Sequence, residues 1–146
     1  MQKIECGFPN EPDFLVVYGP TLKVRIGFDT EFRDGVRPDL PATEHAALVD
    51  TGAFSSCIDS TLAATLRLPV IDRRLVSGVH GEAEVNVHLA QIYIPSLKLT
   101  TKGPFAAVHL HAGGQPYGAL FGRSFLRFFT MTYDGKNGTV ELIRDN

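Results

Sequence analysis

The residues best placed for chemistry stand in one run, Leu48-Val49-Asp50-Thr51-Gly52-Ala53. Asp50 follows four apolar residues, Ala46 to Val49. A carboxylate there is out of place unless it is hydrogen-bonded, paired or in use, because burying an unpaired charge is costly. Thr51 offers a hydroxyl, and Gly52 and Ala53 keep the turn bare enough for another backbone to approach. Such an acid either caps the end of its strand or takes a proton from water as a general base.

Other candidates are weaker. His109 and His111 alternate along a strand and share a face, as metal ligands can, but no third ligand follows at a suitable spacing. Two cleft or surface histidines are the expectation, and no metal is called for. A metal-dependent hydrolase built on that pair is the least favoured alternative. Cys57 lies close after the turn without any triad-like spacing, and is expected to be a small buried residue. Gly113 and Gly114 lack the Lys-Ser/Thr of a phosphate loop, so no nucleotide or other cofactor is expected.

The elements around Asp50 read mostly as strands. His45 to Asp50 is a strand that enters the turn. Ser60 to Leu68 has helical spacing, with Ile58, Leu62 and Leu66 on one stripe, Asp59 or Ser60 as N-cap and Pro69 as the stop. Residues 72–94 form a long hairpin with its tip at Gly78-Val79-His80-Gly81. Val85, Val87 and Leu89 share one parity there, while Ile92 and Ile94 take the other. This implies a bulge, or a strand passing from a solvent-facing ribbon into the body. Leu22, Val24, Ile26 and Phe28 alternate with Lys23 and Arg25 as a half-buried strand. Phe14 to Tyr18 reads as a strand hairpinned to it through Gly19-Pro20. Residues 1–12 read as an extended arm outside the core, and Asp29 to Thr43 as a surface loop. Pro104 to His111 is a further strand, Arg123 to Phe129 a short helix, and residues 130–144 a closing hairpin.

The chain has 146 residues and a net charge of −2, with basic residues scattered. That length suits a single domain, residues 1–146, with a sizeable core. The scattered charge gives no footprint for nucleic acid. No apolar run reaches the length of a membrane span, and Met1 to Cys6 lacks a signal-peptide core. Cys6 and Cys57, far apart, suggest free thiols in a reducing compartment. A cytoplasmic protein without membrane association is the expectation.

Three motifs in order, Leu48 to Ala53, the glycine-tipped hairpin at Gly78 to Gly81, and Leu120-Phe121-Gly122-Arg123, resemble the retropepsin-like aspartic proteases. The resemblance runs from about residue 14 to residue 144. It implies a mostly-β, closed barrel-like sheet with a flap hairpin and two short helices. It also implies an aspartic endopeptidase in which Asp50 is catalytic. Thr51 would brace the turn across a dimer axis, and Gly52 would offer its carbonyl to the substrate beside Ala53. Gly78, Val79, His80 and Gly81 would close over an extended peptide. Leu120, Phe121 and Gly122 would pack behind the turn. Arg123 would be structural. Where many retroviral enzymes carry an Asp that contacts substrate and pairs with the matching Arg, this chain has Phe54, so Phe54 takes a substrate-contacting position and Arg123 needs another partner.

Metal-free peptide hydrolysis needs two carboxylates, one to take a proton from water and one to protonate the carbonyl. The chain holds one Asp-Thr-Gly; Asp34-Gly35 lies in a charged loop, and Asp134-Gly135 opens a hairpin turn. Two copies of Asp50, hence a homodimer with a peptide or protein substrate, follow from that chemistry. The alternative is a retropepsin-fold module that binds or assembles peptides without useful turnover. The altered Phe54 and His80 positions motivate it.

Overall fold

The computed structural model describes residues 1–33, 35–78 and 81–145. Asp34, Val79 and His80 lie outside the described residues. In chain order the elements are β1 (Gln2–Glu5), α1 (Pro12–Tyr18), β2 (Thr21–Gly27), β3 (Glu44–Val49), β4 (Cys57–Asp59), α2 (Ser60–Thr65), β5 (Val70–Gly78), β6 (Gly81–Ile94), a 3-10 turn (Pro95–Leu97), β7 (Leu99–Val108), β8 (Ala119–Phe121), α3 (Arg123–Leu126), β9 (Thr130–Asp134) and β10 (Thr139–Arg144). The expected mostly-β architecture is borne out.

The larger sheet runs β2-β3-β8-β4-β7-β6-β5, and a further pairing of β2 with β6 closes six of its strands into a barrel. That closure joins Arg25, Ile26 and Gly27 to Tyr93, Ile92 and Gln91. The alternation read in β2 points Leu22, Val24 and Ile26 inward, each no more than 2% exposed. Gln91 is also buried, and is satisfied by accepting from the Asp29 amide at 2.7 Å and donating to its carbonyl at 3.0 Å. A smaller sheet, β1-β10-β9, stands beside the barrel. Buried side chains from both sheets, Ile4 to Leu142, form one hydrophobic cluster.

β6 explains the parity change read in the sequence. Its first half pairs only with β5, and from Val87 onward it also pairs with β7. Both faces are then covered, so Val87, His88, Ala90, Gln91, Ile92 and Ile94 are all buried. The register shift lies opposite, on β5 between Val70 and Asp72. The ribbon enters the barrel there.

Three expectations need correction. Phe14 to Tyr18 is not a strand but lies in α1. Val16, Val17 and Tyr18 favour a strand locally, but β2 pairs with β3 along Thr21–Arg25 and with β6 along Arg25–Gly27, not with this segment. Pro12 sits in the first turn, where its fixed φ suits a helix, and Gly19 closes the end at φ +68°. Phe14 and Tyr18, one turn apart, then pack with Phe8 at centroid distances of 6.0 and 5.9 Å. The helix count is therefore three, not two. The amino-terminal arm is extended but not outside the core: β1 pairs with β10, burying Ile4, and Cys6 is buried beyond it. The strand read from Pro104 to His111 starts earlier, at Leu99, and ends at Val108.

Candidate active site

Asp50 is delivered by β3, which lies between β2 and β8, so the strand is paired on both edges. Ala47 and Val49 point into the barrel. β3 runs parallel to β8, matching Ala47, Leu48 and Val49 to Ala119, Leu120 and Phe121. The ladder goes one residue past the strand, the Asp50 amide donating to the Phe121 carbonyl at 2.9 Å. The backbone then turns sharply. Oδ1 of Asp50 accepts from the Gly52 amide at 2.9 Å, and the Asp50 carbonyl accepts from Ala53 at 3.3 Å. A short acid that binds an amide two residues on holds its own turn, which leaves Oδ2 without a recorded partner among the described residues. Asp50 is half-buried, and Thr51 and Gly52 are exposed.

After the turn the chain passes through Phe54 and Ser55 into β4, which pairs antiparallel with β8 on the side opposite β3. β8 is therefore threaded between the two strands that flank the Asp50 turn. Gly122 sits at the crossing. A Cβ on it would stand 2.6 Å from the Ser55 carbonyl oxygen and 2.8 Å from that of Ala53. Only hydrogen fits between those backbones. The close approach allows the Arg123 amide to reach the Ala53 carbonyl at 2.8 Å and the Ser124 amide to reach that of Phe54 at 3.1 Å. Ser56 Oγ accepts from the Gly122 amide at 3.3 Å.

Arg123, left without the acidic partner usual in the motif, donates from Nη1 to the Thr51 carbonyl at 2.8 Å. The guanidinium thus ties α3 to the turn itself. Phe121 is fully buried and stacks on Phe125 at 4.3 Å, which fixes α3 against β8. Leu120 is half-buried. Asp50, Thr51, Gly52, Ala53, Phe54, Leu120, Phe121, Gly122 and Arg123 are all brought together. Phe54 is 78% exposed beside the turn. Gly78 and Gly81 face each other at the ends of β5 and β6, so the hairpin arms meet at the expected tip, of which Val79 and His80 are not among the described residues.

Local patterns gave no signal for Arg74 and Ser55. Arg74, on β5, donates to Ser55 Oγ at 3.3 Å, linking one hairpin arm to the segment after the turn. Burial pushes the Cys57 thiol up; the Arg74 charge works against this and the Asp50 charge with it, so both charged groups lie near that sulfur. Asp59 does more than the N-cap read for it. Its Oδ2 accepts from Leu62 at 3.1 Å, while Oδ1 accepts from the Leu110 and His111 amides, each at 3.1 Å. Burial raises its carboxyl, but these amides and the His111 ring together hold it below the usual carboxylate value. His111 Nδ1 stands 3.6 Å from Asp59, and His109 Nδ1 stands 2.9 Å from Ser60 Oγ. Among the described residues no group of three or more His, Cys, Asp or Glu could hold a metal ion, and no helix is long and apolar enough to cross a membrane.

Comparison with known proteins adds the following. The sequence profile of the family described as aspartyl protease matches residues 40–125. The motifs at Leu48 to Ala53, Gly78 to Gly81 and Leu120 to Arg123 all fall inside that span. The solution structure of the simian foamy virus (mac) protease is similar at a TM-score of 0.46 and 18% identity, covering 74% of this chain and 92% of that one. No curated protein matches the chain.

Proposed function

Because the chain belongs to the aspartyl protease family, we propose that it is an endopeptidase that hydrolyses peptide bonds with two Asp50 carboxylates, one from each subunit of a homodimer. The observation that carries this reading is the Asp50 turn. It is held by its own Gly52 amide, by Phe121, and by α3 through Arg123, and it leaves one carboxylate oxygen uncommitted at a half-exposed position. A carboxylate so fixed is oriented before substrate arrives, which is where much of the gain in a general acid–base reaction originates.

One Asp50 would take a proton from a water held between the two acids. The resulting nucleophile adds to the scissile carbonyl while the partner's carboxyl protonates the carbonyl oxygen. Collapse of the tetrahedral intermediate expels the amine, which leaves with a proton returned by the pair. Gly52 and Phe54, exposed beside the acid, would line the cleft, and the hairpin ending at Gly78 and Gly81 would cover it. Thr51 and Ala53 complete the turn.

The test is Asp50→Asn. Cleavage of a mixed peptide library should fall to below about a thousandth of the parent rate, with circular dichroism and sedimentation unchanged. Retained cleavage, with contaminating protease excluded, would sink the mechanism. A parent chain that binds peptides but cleaves none between about pH 3 and 8 would leave the binding-module alternative in its place.

A further inference from the structure

A second feature adjoins the Asp50 turn. A groove of about 500 Å³ opens between Phe54, Arg74, α3 and β7, a size typical of sites for small ligands or peptide side chains. One wall is β7 itself, Leu99 to Phe105 in succession. β7 pairs with β6 along most of its length, but on its other side β4 reaches only Ala106 to Val108. From Leu99 to Gly103 that second edge carries no strand among the described residues. Its backbone donors and acceptors are open to an added strand. Pro104, which has no amide to offer, limits any added strand to the stretch before it.

The groove's chemistry is distinctive. The floor is aromatic, with Phe125 buried and Phe128 64% exposed at the rim. The charged side chains that line it are Arg74, Lys102 and Arg144, and none of the described lining residues is a carboxylate. Lys102 and Arg144 take part in no ion pair among the described residues, whereas Arg73, beside Arg74, is paired with Glu84. Three cations around an apolar floor complement a segment that alternates carboxylates with large apolar side chains. A two-fold contact between copies of this chain centred on the groove would set these cations against themselves, which disfavours a second copy as occupant.

The geometry points to an accessory peptide site: an extended acidic segment with an aromatic or aliphatic anchor adds as a strand to the open edge of β7, its carboxylates facing Arg74, Lys102 and Arg144. This rests on the protease reading, because the segment would belong to a protein substrate leaving the cleft past Phe54. It would make acidic flanking sequence a determinant of which substrates are held.

The test uses the full chain carrying Asp50→Asn, so that the probe is not cleaved. The probe is a fluorescein-labelled Glu-Glu-Phe-Glu-Leu-Glu peptide followed by anisotropy. Saturable binding should weaken about tenfold when every Glu is replaced by Gln, the size of one or two charge-assisted contacts. Lys102→Glu and Arg144→Glu, both at solvent-accessible positions, should each weaken it by a similar factor with circular dichroism unchanged. N-methylation of alternate peptide amides should weaken it further. Equal affinity for the Glu and Gln peptides, indifference to both charge reversals, or sedimentation showing that the probe splits a dimer would overturn the inference. Cleavage of an uncharged peptide library by the unaltered chain separates the two readings. Cleavage without probe binding removes only the accessory site, whereas probe binding without cleavage removes the protease reading and, with it, the substrate role given to the site, leaving a peptide-binding edge.

Discussion

Gly122→Ala tests the threading of β8 behind the Asp50 turn more directly than any change to the acid. The added methyl would meet backbone on both sides, 2.6 Å from the Ser55 oxygen and 2.8 Å from the Ala53 oxygen. Neither is the end of a flexible side chain, so β8 and the turn must separate. Overpacking of this kind costs about 1–3 kcal/mol. Separation also stretches the bonds from the Arg123 and Ser124 amides to Ala53 and Phe54, at about 1 kcal/mol each. The expected loss is about 3–5 kcal/mol. Urea denaturation should be compared at one protein concentration, since a dimer's stability depends on it. Gly103→Ala is the control, because a Cβ there meets nothing within 4 Å, and it should change stability by less than about 1 kcal/mol. At a urea concentration where both variants remain folded, peptide cleavage by Gly122→Ala should fall far more than by the control. A Gly122→Ala chain as stable and as active as the parent would refute the role given to this crossing.

Three further outcomes follow from the titratable groups. Asp59→Ala leaves the amides of Leu62, Leu110 and His111 without their acceptor and should cost about 3–5 kcal/mol by denaturation at pH 7. In the parent, His45 is held below its ordinary value of 6.5 by burial and by His111, so the unfolded chain binds that proton first. His45's contribution is full above pH 6.5 and declines as pH falls below it, whereas the Asp59 contribution, from a lowered carboxyl, is full above 3.8 and is lost progressively as pH falls from there through its folded value. The melting temperature should therefore start to drop in mildly acid buffer, and a melting temperature flat from pH 7 to 5 would contradict the placement of His45. With Ellman's reagent at pH 8, Cys6, pushed up to about 12 by burial and by Glu5, should react only on unfolding. Cys57 should react slowly in the folded chain, and more slowly still in Arg74→Ala, which removes the charge that favours its thiolate.

What was legible in the sequence was what local pattern determines. The alternation in β2 reports a face buried along its whole length, and the run from Ala46 to Asp50 reports a strand covered on both edges. Asp59 was readable as a cap because its partner amide at Leu62 lies three residues on. Its other two partners lie about fifty residues away, and no local pattern encodes them. β4 was missed because three residues give no period, and what makes Cys57 to Asp59 a strand is the pairing offered by β7 and β8. α1 was misread because the strand propensity of Val16 and Val17 is real, and what overrides it is the Pro12 start, the Gly19 stop and the packing of Phe14 and Tyr18 on Phe8. The open edge of β7 was invisible because an edge is defined by the strand that is missing.

These long-range contacts bear on how the proposed dimer would work. Among the described residues, Phe121, Gly52, Arg123 and Ser124 of the same chain all bond to the Asp50 turn. On the proposed pairing, what the partner brings is the second carboxylate and its proton. On that pairing, catalysis depends on protein concentration. Arg123 is satisfied by the Thr51 carbonyl, so position 54 is free to present an aromatic ring. The ring lies between the acid and a groove lined by cations. With Arg123 held by backbone, residue 54 can vary without loosening the turn.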